Sequence, residues 1–188
     1  VQNLVNNLKE SNPVLVDELV PKLLGLGEIQ KVLQNLLSEG ISIRDLLTIF
    51  ETLADHAPAT RDTDVLTEYA RQSLKRAISS KYFPANETTS VITVDPKIEQ
   101  EIMGSVKQTE QGAYLTLDPE RTKAIMASVE EEVAKLENMG KPAIIMTSPI
   151  VRMYFKKLTE DYFKDLTVLS YNEVESNVEL QSVGMVTI

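Results

Sequence analysis

The sequence predicts an α+β fold, an all-helical subdomain followed by a small α/β subdomain in which short strands alternate with helices. Three observations carry this expectation. Residues 24–58 place apolar residues at helical spacing on both sides of a break at Gly40. That periodicity is lost across SKYFPANETTS at 80–90, which contains Pro84 and Asn86. Beyond it, apolar residues gather in short β-rich runs separated by helical stretches, the alternation of an α/β or α+β layer. The expected boundaries are a helical subdomain at 1–80, a linker at 81–90 and an α/β subdomain at 91–188.

In the first part, Ile29, Val32, Leu33, Leu36 and Leu37 follow the i, i+3, i+4, i+7, i+8 pattern of one buried stripe. Gly40 supplies the left-handed residue that helix C-termini favour. Ser42 is expected to begin the next helix, with Asp45 three residues on in a capping-box-like arrangement. Leu46, Leu47, Phe50, Leu53 and Ala54 continue the stripe to Pro58. A third helix is expected from about Thr63 to Ile78, with Val65, Leu66, Tyr69, Ala70, Leu74, Ala77 and Ile78 inward.

In the second part, VITV (91–94), AYLTL (113–117), AIIM (143–146) and TVLS (167–170) read as strands. A partial repeat links them: VITVDPKIEQEI at 91–102, YLTLDPERTKAI at 114–125 and, more loosely, IIMTSPIVRMYF at 144–155. In each, a strand runs into Asp or Ser followed at once by Pro. Asp95, Asp118 and Ser148 are expected N-caps, and the prolines after them fill the first helical position, where a missing N–H costs nothing. The long helix opened by Pro119 carries the stripe Ile125, Met126, Val129, Val133 and Leu136, which predicts that Glu130, Glu131 and Glu132 face water.

Composition narrows the function classes. With 43% hydrophobic and 25% charged residues the chain has the make-up of an ordinary globular protein. No window approaches the ~18 consecutive apolar residues of a spanning helix, and no charged-then-apolar leader opens the chain. The sequence begins at Val1 amid a helical pattern (Leu4, Val5, Leu8), as a piece of a longer protein would. It has no cysteine, which excludes disulfides, thiolate metal sites and cysteine nucleophiles and fits a reducing cytoplasm. Its one histidine, His56, cannot make a multi-histidine metal site and sits near a helix C-terminus, where a cation suits the dipole.

The net charge of −9 repels phosphate backbones. The densest basic stretch, Arg71 to Arg76, is a single helix face. The helix–break–helix at 28–57 offers one Arg against Asp45, Glu51 and Asp55 in its second helix, too few donors for DNA recognition. No nucleic acid is expected as partner. Asp95 and Asp118, at strand ends, are a pair of carboxylates that could do acid–base or metal chemistry in a small α/β enzyme. Capping accounts for both, and no phosphate-loop, dinucleotide, nucleophile-elbow or zinc-protease motif occurs. For contact with a subunit or partner the candidates are Arg44, Arg61 and Arg71, placed on expected exposed faces or in the 58–63 loop, since Arg is favoured at interfaces.

As a string, LGLGEIQKVLQNLLSEGISIRDLLTIFETLADHAP (24–58) resembles FlhA, the export-gate family of the bacterial flagellar type III secretion system. The likeness extends over 12–78, which is similar to that family's helical third cytoplasmic subdomain. ITVDPKIEQEI (92–102), TEQGAYLTLDP (109–119), the strand–SP–helix at 143–155 and VLSYNEV (168–174) are similar to its fourth. The resemblance implies a parent protein with a multi-span membrane part followed by four cytoplasmic subdomains, of which these residues are the last two. It implies a nine-membered ring of copies at the cytoplasmic face of the inner membrane, with these residues themselves soluble. The implied partners are export chaperones carrying substrates, the stalk of the export ATPase complex and other export-gate components. It implies no enzyme activity and no cofactor. The family's main chaperone-binding residues lie in the first two subdomains, so none is carried over here.

Overall fold

Residues 1–188 are described by a computed structural model. They divide into two compact units, Val1–Lys81 and Tyr82–Ile188.

The first unit is built from helices α1 (Gln2–Ser11), α2 (Pro13–Leu19), α3 (Leu26–Ser38), α4 (Leu46–His56), α5 (Thr63–Ser73) and α6 (Lys75–Tyr82), the last of which runs into the start of the second unit. α1 packs on α2, α2 on α4, α4 on α5 and α5 on α3. The expected stripe of α3 is buried at Ile29, Val32, Leu33 and Leu36, whereas Leu37 is 54% exposed. α3 ends as its sequence demands: Gly40 lies at φ +73°, its N–H donates to the Leu37 carbonyl (2.9 Å) and the Ile41 N–H to the Leu36 carbonyl (3.0 Å). This is the Schellman closure, completed by burial of Ile41 and Leu36. The Lys81 ammonium donates to the Gly40 carbonyl and fixes the same turn.

Ser42 does not start α4. Asp45 is the N-cap: its carboxylate accepts from the Thr48 N–H (3.2 Å) and hydroxyl (2.7 Å), while Ser42 Oγ accepts from the Arg44 N–H (3.2 Å). A carboxylate beside the dipole's positive end outcompetes a hydroxyl three residues earlier. The expected third helix is broken at Leu74 into α5 and α6. The buried face of α5 is Leu66, Thr67, Ala70 and Arg71, turned by about one residue from the expected stripe. Tyr69 sits at the edge of that face and stacks on His56 with ring centroids 3.8 Å apart.

The second unit holds a four-stranded parallel sheet in the order β5-β4-β1-β6 and a separate antiparallel hairpin, β2–β3. Along the chain these are β1 (Thr88–Val94), α7 (Pro96–Gly104), β2 (Val106–Thr109), β3 (Gly112–Leu115), α8 (Pro119–Asn138), β4 (Ile144–Thr147), α9 (Pro149–Thr159), β5 (Thr167–Ser170) and β6 (Glu179–Val186). β4 is buried along its whole length, as an apolar run in a parallel sheet requires. Ile98 and Ile102 of α7, Ile125, Val129 and Leu136 of α8 and Val151 and Phe155 of α9 pack with Ile92, Ile145 and Val168 of the sheet in one core. The AYLTL run expected as a strand of the layer forms β3 of the hairpin instead.

β6 escapes a reading by alternation because of a bulge. Val91 pairs with Ser182 and Ile92 with Gly184, so Val183 is an extra residue that breaks the period of two. No helix is long and apolar enough to cross a membrane.

Candidate interface residues

The three arginines meet different fates. Arg61, in the loop before α5, makes a fork on Glu28 of α3, with Nε to Oε2 at 3.2 Å and Nη2 to Oε1 at 2.5 Å. Glu28 also accepts the Gly25 N–H (3.0 Å), reaching back over the first turn of its own helix. The bond from Arg61 holds the Glu28 carboxyl below its ordinary range; partial burial opposes this and the Gly25 N–H adds to it. Arg61 therefore clamps a loop to α3. Arg71, expected on an exposed face, is 1% exposed, with its guanidinium 3.5 Å from Glu39. Its place follows from Thr67, one turn earlier on the same buried face of α5. Arg44 alone of the three is both exposed and unpaired within the chain. Its N–H is anchored by Ser42, and its exposed guanidinium makes no hydrogen bond or ion pair within the chain.

In the second unit, the Asp95 carboxylate accepts the Lys97 N–H (2.9 Å) at the start of α7 and the Thr187 hydroxyl (2.9 Å) beyond β6. Those two bonds, the backbone one foremost, hold its pKa below the usual aspartate value. Asp118 accepts the Glu120 N–H (2.8 Å) at the start of α8. Asp118 follows the hairpin rather than a strand of the parallel sheet, and each aspartate bonds an N–H of its own helix, where the enzyme reading needed both to converge on one open pocket. Ser148 occupies the N-cap of α9 but makes no side-chain cap bond. Its N–H (2.8 Å) and hydroxyl (2.9 Å) both donate to Glu99 of α7, which supplies the anion at that helix start. Across the same edge, burial and the Glu99 charge push the Tyr171 phenol up.

Two ion pairs organise the surface and the interior of this unit. Arg121 of α8 forks onto Glu101 of α7 at 2.7 and 2.8 Å and holds the Glu101 carboxyl below its ordinary range, with burial opposing. Arg152 of α9 and Glu173 form a pair in the interior, with Arg152 Nε 3.5 Å from Glu173 Oε1. Of the acidic run, Glu130 and Glu131 face water but Glu132 does not: it is 7% exposed and points at Gly184 of β6. No three His, Cys, Asp or Glu side chains gather as a metal ion would need.

The lowered carboxyls set a direction for acid stability. Unfolded, Glu28 and Glu101 titrate in the ordinary glutamate range, and folded they hold their charge to lower pH. The unfolded state binds protons first, so this contribution is complete above the ordinary range and is lost as pH falls through the lowered folded value. Arg121→Ala is expected to flatten the fall in stability of the second unit between about pH 5 and about pH 3, in urea titrations read by circular dichroism. An unchanged slope would remove the Glu101 pair from the account.

The model of the FHIPEP family matches residues 1–179. The chain belongs to the FHIPEP family. Among its FHIPEP relatives, the flagellar biosynthesis protein FlhA of Bacillus subtilis is 50% identical over 187 residues, which cover 100% of this chain and 28% of that protein. The expected likeness to FlhA is therefore borne out over the whole length. Two solved structures share the fold. CdsV in the Chlamydia pneumoniae CdsV and CdsO protein complex has a TM-score of 0.90 at 36% identity, over 99% of this chain and 54% of that one. The nonameric SctV-C of EPEC has a TM-score of 0.82 at 37% identity, over 98% and 55%. The FHIPEP chain described here thus spans little more than a quarter of its FlhA relative and about half of the solved chains.

Proposed function

We propose that these residues are the ring-building and partner-docking part of a flagellar type III export gate, acting within a longer FHIPEP protein at the cytoplasmic face of the bacterial inner membrane. The observation that carries this reading is the likeness to nonameric SctV-C over 98% of the chain, with a TM-score of 0.82 at 37% identity. The helical unit builds the ring. Docking of export chaperones with their substrates and of the ATPase stalk follows from the FlhA likeness, and the CdsV and CdsO complex supports a protein-binding role for this fold. Arg44 is the subunit or partner contact retained from the sequence, because its charge is exposed and uncommitted. No catalytic step is assigned: Asp95 and Asp118 serve as helix caps.

Ring formation is tested by tethering the chain through an N-terminal histidine tag to nickel-lipid vesicles. Tethering replaces dilute encounter by a high local concentration. Electron microscopy of the decorated vesicles is expected to show closed rings, and class averages are expected to show nine-fold symmetry. Separate single copies at every surface density would contradict the reading.

A further inference from the structure

We propose that the open edge of the parallel sheet, strand β6, binds an extended, positively charged polypeptide segment, which joins the sheet as a further strand. The inference goes beyond the proposed function and stands whether or not the chain forms rings.

The two edges of the sheet differ. At β5 the Thr167 N–H donates to the Ala143 carbonyl, so Thr167 turns its backbone groups toward β4 and its alternate neighbours Leu166, Val168 and Ser170 turn theirs outward. A side chain meets each of those three. Lys156 Nζ donates to the Leu166 carbonyl (3.1 Å), Arg152 Nη1 donates to the Val168 carbonyl (3.0 Å), and the Ser170 N–H donates to Glu173 (3.4 Å). That edge is closed to another strand.

β6 has no such cover. It pairs with β1 alone, and Val186 turns inward, its carbonyl accepting the Asp95 N–H (2.9 Å). Alternation from there, with the bulge counted in, turns the N–H and C=O of Met185 and of Leu180 away from β1. None of these groups has a hydrogen-bond partner within the chain. Unpaired donors and acceptors along a strand are matched by another extended backbone. Apolar side chains line the same edge: Met185 is 40% exposed, and Leu180 and Val183 are half-buried.

Charge selects the occupant. Natural edges are guarded by lysine, yet β6 and the run leading to it from Tyr171 contain no Lys or Arg. Glu175 and Glu179 stand at the entry to the strand instead, which attracts a cationic segment and sets the β6 edges of two copies against each other. The bulge at Val183 adds twist that an unfolded segment follows more easily than a preformed sheet.

The probe is a dye-labelled peptide of alternating valine and threonine flanked by lysines, titrated with the chain and read by fluorescence anisotropy. Saturable binding is expected, and its loss when every valine and threonine of the peptide is N-methylated, which keeps side chains and charge but removes the backbone donors. Met185→Pro removes an N–H that makes no bond in the sheet, so circular dichroism is expected to be unchanged while affinity falls roughly tenfold. Leu180→Pro makes the same change before the bulge and replaces Met185→Pro if that chain does not fold. No binding of the plain peptide, or equal binding of the plain and N-methylated peptides, would overturn the proposal. Self-association of the chain that Met185→Pro abolishes would also overturn it, since a second copy would then be the occupant.

Discussion

Glu173→Ala is expected to destabilise the β-containing unit by about 3–5 kcal/mol, the usual cost of leaving one member of a buried ion pair without the other. Glu173 lies in the short 3-10 turn after β5 and is 1% exposed, and Arg152 on α9 is also 1% exposed. Arg152 Nε stands 3.5 Å from Glu173 Oε1, and Arg152 Nη1 donates to the Val168 carbonyl at 3.0 Å. The same carboxylate oxygen accepts from the Ser170 N–H (3.4 Å) and hydroxyl (3.3 Å). Helix α9, strand β5 and the turn beyond it are thus joined through one buried charge. Removing the carboxylate takes a counter-ion from a guanidinium that is buried from bulk solvent. Replacing both partners, as Arg152→Met with Glu173→Leu, removes the uncompensated charge and is expected to cost clearly less than Glu173→Ala alone. Urea unfolding of Glu173→Ala, of the singles Arg152→Met and Glu173→Leu and of their double variant checks this, and a double variant as unstable as the sum of its two singles would deny the coupling.

Gly184→Val is expected to cost about 2 kcal/mol, the range for forcing atoms into a filled interior. A Cβ on Gly184 would fall 2.0 Å from Glu132 Oε2, 3.0 Å from its Cδ and 3.1 Å from Ile92 Cδ1. Glu132 Oε1 is held by Lys135 at 2.9 Å, whereas Oε2 is buried without a hydrogen-bond partner. The carboxylate therefore fills the place that β6 leaves open at its bulge, and a side chain there must push it out. Glu132→Ala in the Gly184→Val chain is expected to recover at least about 1 kcal/mol, a coupling typical of residues in contact. If the two substitutions were simply additive in thermal unfolding, the contact would not be what constrains Gly184.

Much of the helical unit was legible because its signals are local. Gly40 closes α3 and the apolar stripe of α3 faces inward, since each depends on residues within two turns. Arg71 and Glu132 were not legible. Both are charged residues buried opposite partners far along the chain or across the sheet, and helical periodicity alone assigns such residues to the solvent side. The capping reading was right for Asp95 and Asp118 and incomplete for Ser148, whose partner Glu99 comes from another helix, 49 residues earlier. β6 was hidden by its own bulge, and AYLTL carried a true strand signal without saying which sheet it joins. Of the interface candidates, exposure could be judged only for Arg44, in a loop fixed by neighbouring residues. The fates of Arg61 and Arg71 were decided by carboxylates on other elements.

On the proposed reading, these residues serve protein export as part of an FlhA-type gate. The most direct test of that reading is to replace the corresponding segment of Bacillus subtilis FlhA, 50% identical to this chain, by residues 1–188 in cells lacking their own FlhA. Restored swimming and secretion of flagellar proteins is the predicted result. A chimera present at the normal level in the membrane, yet unable to support any export, would contradict the account.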